Sequence, residues 1–99
     1  MDWDVAVLGS GPAGFYCALH CAVRGKRTAL LERDRLGGTG FRWGCLPVKM
    51  MLDRLRRPPS EGASIPGGSG EQASVLTDTA RRIRRIEARM RRRLTAAGV

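Results

Sequence analysis

Long apolar runs are absent from this sequence, and no stretch reaches the length that a membrane-spanning helix requires. The first four residues, Met1-Asp2-Trp3-Asp4, carry two acids instead of the positive charge that begins a secretory signal. Cysteine is also scarce, and three unevenly placed cysteines do not suggest the disulfide framework of a secreted domain. These absences predict a cytoplasmic protein without a membrane partner.

Acidic residues are few: nine Asp and Glu stand against 18 Lys and Arg, which gives a formal net charge of +9. A charge of this size can indicate an anionic partner. The most basic segment, residues 75–99, has no aromatic residue and matches no nucleic-acid-binding motif, which argues against nucleic acid and favours a solvated basic face. With 99 residues the chain forms one small domain at most, whereas a dinucleotide enzyme usually needs roughly 200 or more.

The most informative stretch is Val5–Gly14, in which four apolar residues lead into three glycines with the spacing G-x-G-x-x-G. A helical segment follows at 15–23, and a second apolar run at Thr28–Leu31 ends at Glu32. Strand, glycine turn, helix, strand and acid, in this order, are the context that a dinucleotide-binding turn requires. The alternative is an ordinary strand–helix turn without a ligand. The order favours an α/β fold that begins with a Rossmann-like βαβ unit.

Each glycine of the turn has a separate predicted role. Gly9 permits the turn out of the strand, Gly11 lets the backbone approach a pyrophosphate, and Gly14 lets the helix pack on the strand. Pro12 suits the first helical turn, where unpaired N–H groups and the helix dipole face the phosphates. Glu32 is predicted to accept hydrogen bonds from an adenosine ribose, which disfavours a 2′-phosphate. The predicted nucleotide-binding residues of this unit are Gly9, Ser10, Gly11, Pro12, Ala13, Gly14, Glu32 and Arg33.

The first helix also carries Cys17 and Cys21, which are four positions apart and therefore on one face. A metal site there would need further ligands, and His20 lies on a different face. We therefore predict no metal site, two small buried cysteines under the sheet and a solvent-facing His20. Gly25 is predicted to cap the C-terminus of this helix.

The segment after Glu32 is rich in glycine, at positions 37, 38, 40 and 44, which predicts a loop whose backbone can approach a ligand closely. Apolar residues between Leu46 and Leu55 then predict a short helix that ends before Pro58-Pro59. Cys45 lies near the start of this helix, and a helix N-terminus favours the thiolate form of a cysteine.

Together with the turn and Glu32, the stretch Gly37-Gly38-Thr39…Gly44-Cys45-Leu46-Pro47-Val48-Lys49 resembles the N-terminal part of the FAD-dependent pyridine nucleotide–disulfide oxidoreductases. The resemblance implies FAD, with its pyrophosphate at the glycine turn and its ribose on Glu32, and NAD(P)H as the co-substrate of a complete homologue. It implies that Cys45 and Lys49 are catalytic, with the Lys49 cation stabilising negative charge on the reduced flavin. The further flavin-binding residues that it implies are Gly38, Thr39, Gly44, Cys45 and Lys49.

The sequence departs from this family at Gly40, which stands where the family has its first redox cysteine, so only Cys45 of the pair remains. One thiol cannot form the internal disulfide that passes two electrons to an external disulfide. The expected activity is therefore flavin-mediated hydride transfer rather than ordinary disulfide reduction.

The rest of the chain divides into a predicted loop and a predicted helix. Residues 58–74 are rich in Pro, Gly and Ser, which indicates a polar loop. Residues 75–97 predict a long basic helix with Ser74 as its N-cap. Its predicted apolar stripe lies at 76, 80, 83, 86, 90, 94 and 97, and its arginines at 81, 82, 84, 85, 89, 91, 92 and 93. The predicted organisation is one incomplete domain, with the βαβ unit and cysteine-motif helix at 1–57, the loop at 58–74 and the helix at 75–97.

The remainder of a complete family member is an expectation carried by the resemblance. In the family, further strands of the FAD domain, an NAD(P) domain and an interface domain follow this region, and complete members are expected to be homodimers. The resemblance implies a truncated member, or one piece of a split enzyme that needs a C-terminal portion or a partner subunit. A non-catalytic nucleotide-binding module is the alternative. We expect the isolated chain to bind FAD weakly or not at all, to show no NAD(P)H oxidation and to tend to aggregate or associate. We also expect apolar residues of the long helix, such as Ile83, Ile86, Met90 and Leu94, to be exposed to water.

Overall fold

The computed structural model describes residues 2–56 and 69–99, which form two strands and four helices. In chain order they are β1 (Val5–Leu8), α1 (Pro12–Val23), β2 (Thr28–Leu31), α2 (Gly38–Arg42), α3 (Cys45–Arg56) and α4 (Ser69–Ala97). The α/β class and the βαβ unit are confirmed, with both strands at the predicted positions. None of the helices in the described residues has the length and apolar character of a membrane span.

The two strands form a parallel pair in which Val7 lies opposite Leu30 and Leu8 opposite Leu31. Because side chains alternate between the faces of a strand, these two pairs lie on opposite faces of the sheet. Val7 and Leu30 pack against the core, whereas Leu8 is 81% exposed and Leu31 is 52% exposed. Parallel sheets in α/β proteins are covered on both faces, so this domain is incomplete on the face of Leu8 and Leu31.

The core lies between α1 and α4, where Phe15 and Leu19 of the first helix meet Met90 and Leu94 of the second. Burying each such side chain contributes roughly 1.5–3 kcal/mol. Met90 is 4% exposed and Leu94 is 6% exposed, so the expectation that water surrounds these two residues is wrong. Residues of α1 bury this face of α4, whereas the sequence alone predicted that a further part of the sheet would bury it.

The start of α4 differs from the prediction, because the helix begins at Ser69 and not at Val75. Residues 69–74 are therefore helical, and Ser74 lies inside the helix rather than at its N-cap. Glutamate, glutamine and alanine at 71–73 are good helix formers, and the surrounding glycine and serine mask this preference in the sequence. The predicted loop at 58–68 and the helix stop at Pro58-Pro59 lie outside the described residues.

The buried stripe of α4 is also shifted at its N-terminal end. Val75 and Thr79 are buried, whereas Leu76 and Ala80, which the periodicity assigned to the stripe, are exposed. The Thr79 hydroxyl is accommodated there because it donates to the carbonyl oxygen of Val75 at 2.8 Å. A polar residue that bonds back to its own helix can occupy a core position that a hydropathy pattern excludes.

The prediction that Cys17 and Cys21 are buried under the sheet is wrong, because Cys17 is exposed and Cys21 is partly exposed. The helix turns Phe15 and Ala18 toward the core instead, which leaves the two cysteines on the neighbouring face. Partial burial raises the pKa of Cys21, and the nearby Cys17 thiol raises it further. All three cysteines of the chain are unpaired, as expected, and His20 is exposed.

The glycine-rich segment predicted as a loop contains a short helix, α2. Gly37, with φ of 118°, and Gly38, with φ of 61°, provide the left-handed backbone that redirects the chain into it. The next helix, α3, begins at Cys45, so the predicted position of this cysteine near a helix start is confirmed.

Candidate functional site: a glycine turn at the end of two parallel strands

The glycine turn brings α1 against β1 through a contact that only glycine allows. A Cβ atom on Gly14 would lie 1.9 Å from the carbonyl oxygen of Gly9 and 3.4 Å from Val7 Cγ1. Gly9 itself has φ of 95°, and its N–H donates to the carbonyl oxygen of Leu31 at 2.8 Å. The close helix–strand packing predicted for Gly14 is therefore present, and it fixes where α1 begins.

The N-terminus of α1 faces open space at Gly11. This residue is the N-cap in extended conformation, and no side chain caps the first amides of the helix. A Cβ atom on Gly11 would have no heavy atom within 4 Å, so the chain leaves room here that a ligand can occupy. Pro12 is the first helical residue, and both Pro12 and Ala13 are exposed. Unpaired amides at the positive end of a helix dipole suit a phosphate group.

The Glu32 carboxylate lies beside the turn and is held by Ser10. The backbone N–H of Ser10 donates to Glu32 Oε2 at 2.9 Å, and the Ser10 hydroxyl donates to the same oxygen. The other oxygen, Oε1, accepts from the Asp34 N–H at 3.0 Å. These bonds, with the one from the Ser10 hydroxyl as the largest influence, lower the pKa of Glu32 to about 2. The carboxylate is therefore ionised and already oriented without a ligand.

The segment after β2 docks on the turn through two glycines. The Gly37 N–H donates to both oxygens of Ser10, at 3.1 Å to the carbonyl and 3.2 Å to Oγ. A Cβ atom on Gly38 would lie only 2.9 Å from Gly11 Cα. Gly38, which the resemblance places against the cofactor, thus also packs directly on Gly11 of the turn.

A cleft of about 480 Å³ lies at the carboxyl ends of both strands, lined by Leu8, Gly9, Leu31, Glu32 and Arg33. In open α/β sheets this edge is where ligands bind. The volume falls within the roughly 300–1,000 Å³ of small-molecule sites. The cleft therefore contains three of the predicted residues and two exposed leucines.

The predicted catalytic residues lie outside this cleft, on α3. Cys45 and Lys49 are four positions apart and both exposed, and Val48 and Leu52 are exposed on the same face. The start of α3 is held by the Thr39 carbonyl, which accepts from the Gly44 N–H at 2.7 Å. A thiol, a cation and two apolar side chains thus share a helix face that is accessible in the described structure.

Comparison with known proteins agrees with this geometry. Residues 3–99 match the family model described as pyridine nucleotide-disulphide oxidoreductase. The chain belongs to this family. It is 37% identical over 81 residues to a dihydrolipoyl dehydrogenase of Chlorobaculum parvum, covering 76% of this chain and 17% of the relative. It is 48% identical over 51 residues to a mercuric reductase of Acidithiobacillus ferrooxidans, covering 52% of this chain and 9% of the relative.

The chain thus spans less than a fifth of the length of these oxidoreductases. A third relative, a dihydrolipoyl dehydrogenase of Bacillus subtilis, is 34% identical over 71 residues, which is 66% of this chain and 16% of the relative. Family members are FAD- and NAD(P)H-dependent, and the turn, the acid and the cleft described above fit the adenosine diphosphate part of FAD.

Three residues of the cleft and the turn were not predicted from the sequence as site residues: Leu8, Leu31 and Gly37. The leucines line the cleft because β1 and β2 end at the same level, a register that the strand sequences alone do not reveal. Gly37 is a donor to Ser10, and the only signal for it is its place in the Gly37-Gly38 pair.

Proposed function

We propose that this chain forms the ADP-binding half of an FAD site in an oxidoreductase that moves hydride from NAD(P)H through flavin. The observation that carries the proposal is the link through Ser10, which holds the ionised Glu32 of the cleft and directly precedes Gly11, where open space lies at the uncapped start of α1. The start of α1, with the open space at Gly11, complements a pyrophosphate, and Glu32 complements a ribose.

In this proposal the amides at the start of α1 hold the pyrophosphate, and Glu32 accepts from the ribose hydroxyls. When bound, FAD supplies the group that accepts and donates hydride. Cys45 and Lys49 on the exposed face of α3 would lie toward the flavin ring, where the Lys49 cation favours the reduced, anionic form.

We further propose that the protein is not an ordinary disulfide reductase, because Gly40 replaces one of two redox cysteines. A Cβ atom on Gly40 would lie 3.5 Å from Pro12 Cγ, which is an ordinary contact, so a cysteine fits at this position. Gly40→Cys should therefore fold and supply the absent thiol. Thiol titration without reductant should find three free cysteines in the unmodified chain. A loss of free thiols there would contradict the proposal.

The uncovered sheet face supports the need for a further portion. Leu8 and Leu31 are exposed on a parallel sheet, and an incomplete sheet has an edge that must be paired or covered. We propose that a C-terminal portion, on this polypeptide or on a partner subunit, covers this face and completes the flavin site. We also propose that the completed enzyme is a homodimer, which is the assembly expected of complete family members.

Co-expression tests this function. The chain is produced alone and together with the part of the Chlorobaculum parvum dihydrolipoyl dehydrogenase that follows the matched region. We expect the chain alone to bind FAD too weakly to stay yellow through purification and not to oxidise NADH, and we expect yellow, FAD-loaded protein from the pair. FAD binding by the pair without NADH oxidation would favour a non-catalytic nucleotide-binding module. A monomeric chain that is yellow and oxidises NADH by itself would contradict the proposal.

A further inference from the structure

Ser10 is completely buried, at 0% exposure, although the turn that contains it borders the cleft. Its N–H and its hydroxyl both donate to Oε2 of Glu32, and both of its oxygens accept from the N–H of Gly37. One buried residue therefore connects the glycine turn to the end of β2 and to the segment that leads into α2.

We propose that Ser10 is a positioning residue of the nucleotide site, whose hydroxyl fixes the Glu32 carboxylate at the cleft wall and ties Gly37 to the turn. The inference rests on the proposed function, because it concerns how Glu32 is presented to a ribose.

The burial of Ser10 determines the side from which its donors reach the Glu32 carboxylate. Glu32 lines the cleft whereas Ser10 is inaccessible, so the Ser10 donors reach the carboxylate from the protein side. Together with the Asp34 N–H on Oε1, they hold both carboxylate oxygens. A glutamate side chain loses rotamer freedom when a ligand orders it, and an acceptor that is already ordered avoids this cost on binding.

The Ser10 hydroxyl also stabilises the negative charge of Glu32. The backbone of another residue at position 10 would not supply this hydrogen bond. The Ser10 hydroxyl is the largest of the influences that lower the pKa of Glu32. A hydrogen bond to a charged acceptor is stronger than one between neutral groups. Removing the hydroxyl therefore leaves a carboxylate that is both less fixed and easier to protonate.

The same hydroxyl affects the opposite side of the turn. Without Oγ, the Gly37 N–H keeps only the Ser10 carbonyl as an acceptor. Gly38, the next residue, packs so closely on Gly11 that its Cβ would lie 2.9 Å from the Gly11 Cα. A shift at Gly37 therefore reaches the residue that faces the phosphates, so Ser10 influences both ends of the ADP site.

The test uses the full chain with Ser10→Ala, with Ser10→Thr, which restores a hydroxyl, and with Thr77→Ala as a matched control. Thr77 is exposed on α4 and its hydroxyl donates to the Ala73 carbonyl, so Thr77→Ala removes a hydroxyl far from the site. Carboxylate NMR titration without ligand should show that Ser10→Ala raises the pKa of Glu32 by about one unit. Ser10→Thr should return the pKa toward the original value, and Thr77→Ala should leave it unchanged.

ADP affinity, measured by amide NMR titration, supplies the second readout. Ser10→Ala should weaken ADP binding about tenfold, and the other two variants should bind as the unmodified chain does. An unchanged Glu32 pKa in Ser10→Ala, or a raised pKa with unchanged ADP affinity, would overturn the positioning role. If the unmodified chain does not bind ADP, the proposed function fails, and the Glu32 pKa still decides whether Ser10 holds the carboxylate. Ser10→Cys, which keeps the volume but donates weakly, replaces Ser10→Ala if that variant does not fold.

Discussion

The glycine turn and α4 differ in how closely their sequences are constrained by contacts. At Gly14 and Gly38, one added carbon atom would collide with the backbone of the turn. Along α4, by contrast, the outward face from 81 to 93 is nearly all arginine, and Asp78 pairs with Arg82 there at 2.9 Å. The shape of the turn is fixed by its backbone, whereas the cleft of about 550 Å³ beside the arginine face is lined by side chains such as Arg54, Arg81 and Arg82.

This contrast explains why the strong positive charge of the chain is a poor guide to its function. The opposite face of α4 contributes core residues such as Met90 and Leu94, against which Leu36 and Phe41 pack, and Glu87 pairs with Arg35 at 2.7 Å. The helix therefore supports the nucleotide unit by packing. Substitutions in the turn and on the arginine face should therefore differ strongly in their effect on the stability of the fold.

Gly14→Ala should have the largest effect. The added Cβ atom at position 14 would overlap the Gly9 carbonyl oxygen at 1.9 Å. The free energy of unfolding should therefore fall by about 4 kcal/mol or more, and the variant should fail to fold. Gly11→Ala is the matched control, because its Cβ has open space and its φ of −63° suits alanine. Circular dichroism melting should separate the two, and a Gly14→Ala protein as stable as Gly11→Ala would contradict the described packing.

Leu94→Ala should come next, with a loss of about 2–5 kcal/mol, because Leu94 is 6% exposed against α1. Arg92→Ala, on the exposed face of the same helix, should change the free energy of unfolding by less than about 0.5 kcal/mol. Urea denaturation of both variants measures the difference. Equal losses would show that α4 does not pack on α1 as described.

Acid should weaken the turn through Glu32. Its pKa is lowered to about 2 in the folded protein from an ordinary 4.5, so the stabilisation is complete above the unfolded value and is lost as pH falls toward 2. The free energy of unfolding should therefore decline between about pH 4.5 and 2, and Glu32→Gln should remove much of that decline. Asp4, whose pKa is lowered by Arg27, adds a smaller decline that Glu32→Gln leaves in place. Identical pH profiles with and without Glu32 would count against the Ser10–Glu32 contact.

Glu87→Gln should have a small effect, a loss of about 1 kcal/mol. The Glu87 side chain is 12% exposed and accepts from two nitrogens of Arg35, which is better geometry than most surface pairs have. Asp78→Asn breaks an exposed i,i+4 pair with Arg82 and should cost about 0.3–0.5 kcal/mol. Chemical denaturation at low and high salt measures the free energy of unfolding of both variants. A larger loss in Asp78→Asn than in Glu87→Gln would contradict this ranking.

Local patterns in the sequence predicted the strands and the turn because their causes are local. The apolar runs at Val5–Leu8 and Thr28–Leu31 are bounded by turn residues, and the glycine spacing has a steric reason that Gly14 displays. The burial of Cys17 and Cys21 was not predictable in this way, because it depends on which face of α1 meets α4. The Ser10–Glu32 contact joins residues 22 positions apart and becomes visible only when the strand register is known.

The proposed function requires that ADP, the part of FAD assigned to the turn, binds at the glycine turn and not on the arginines of α4. The most direct measurement is an ADP titration of the ¹⁵N-labelled chain followed by amide NMR, with Gly11→Val as the comparison. We expect shifts at Gly9–Gly11, Glu32 and Gly37 that disappear in Gly11→Val while the α4 amides of both proteins stay unchanged. Shifts confined to residues 81–93, or shifts at the turn that persist in Gly11→Val, would contradict it.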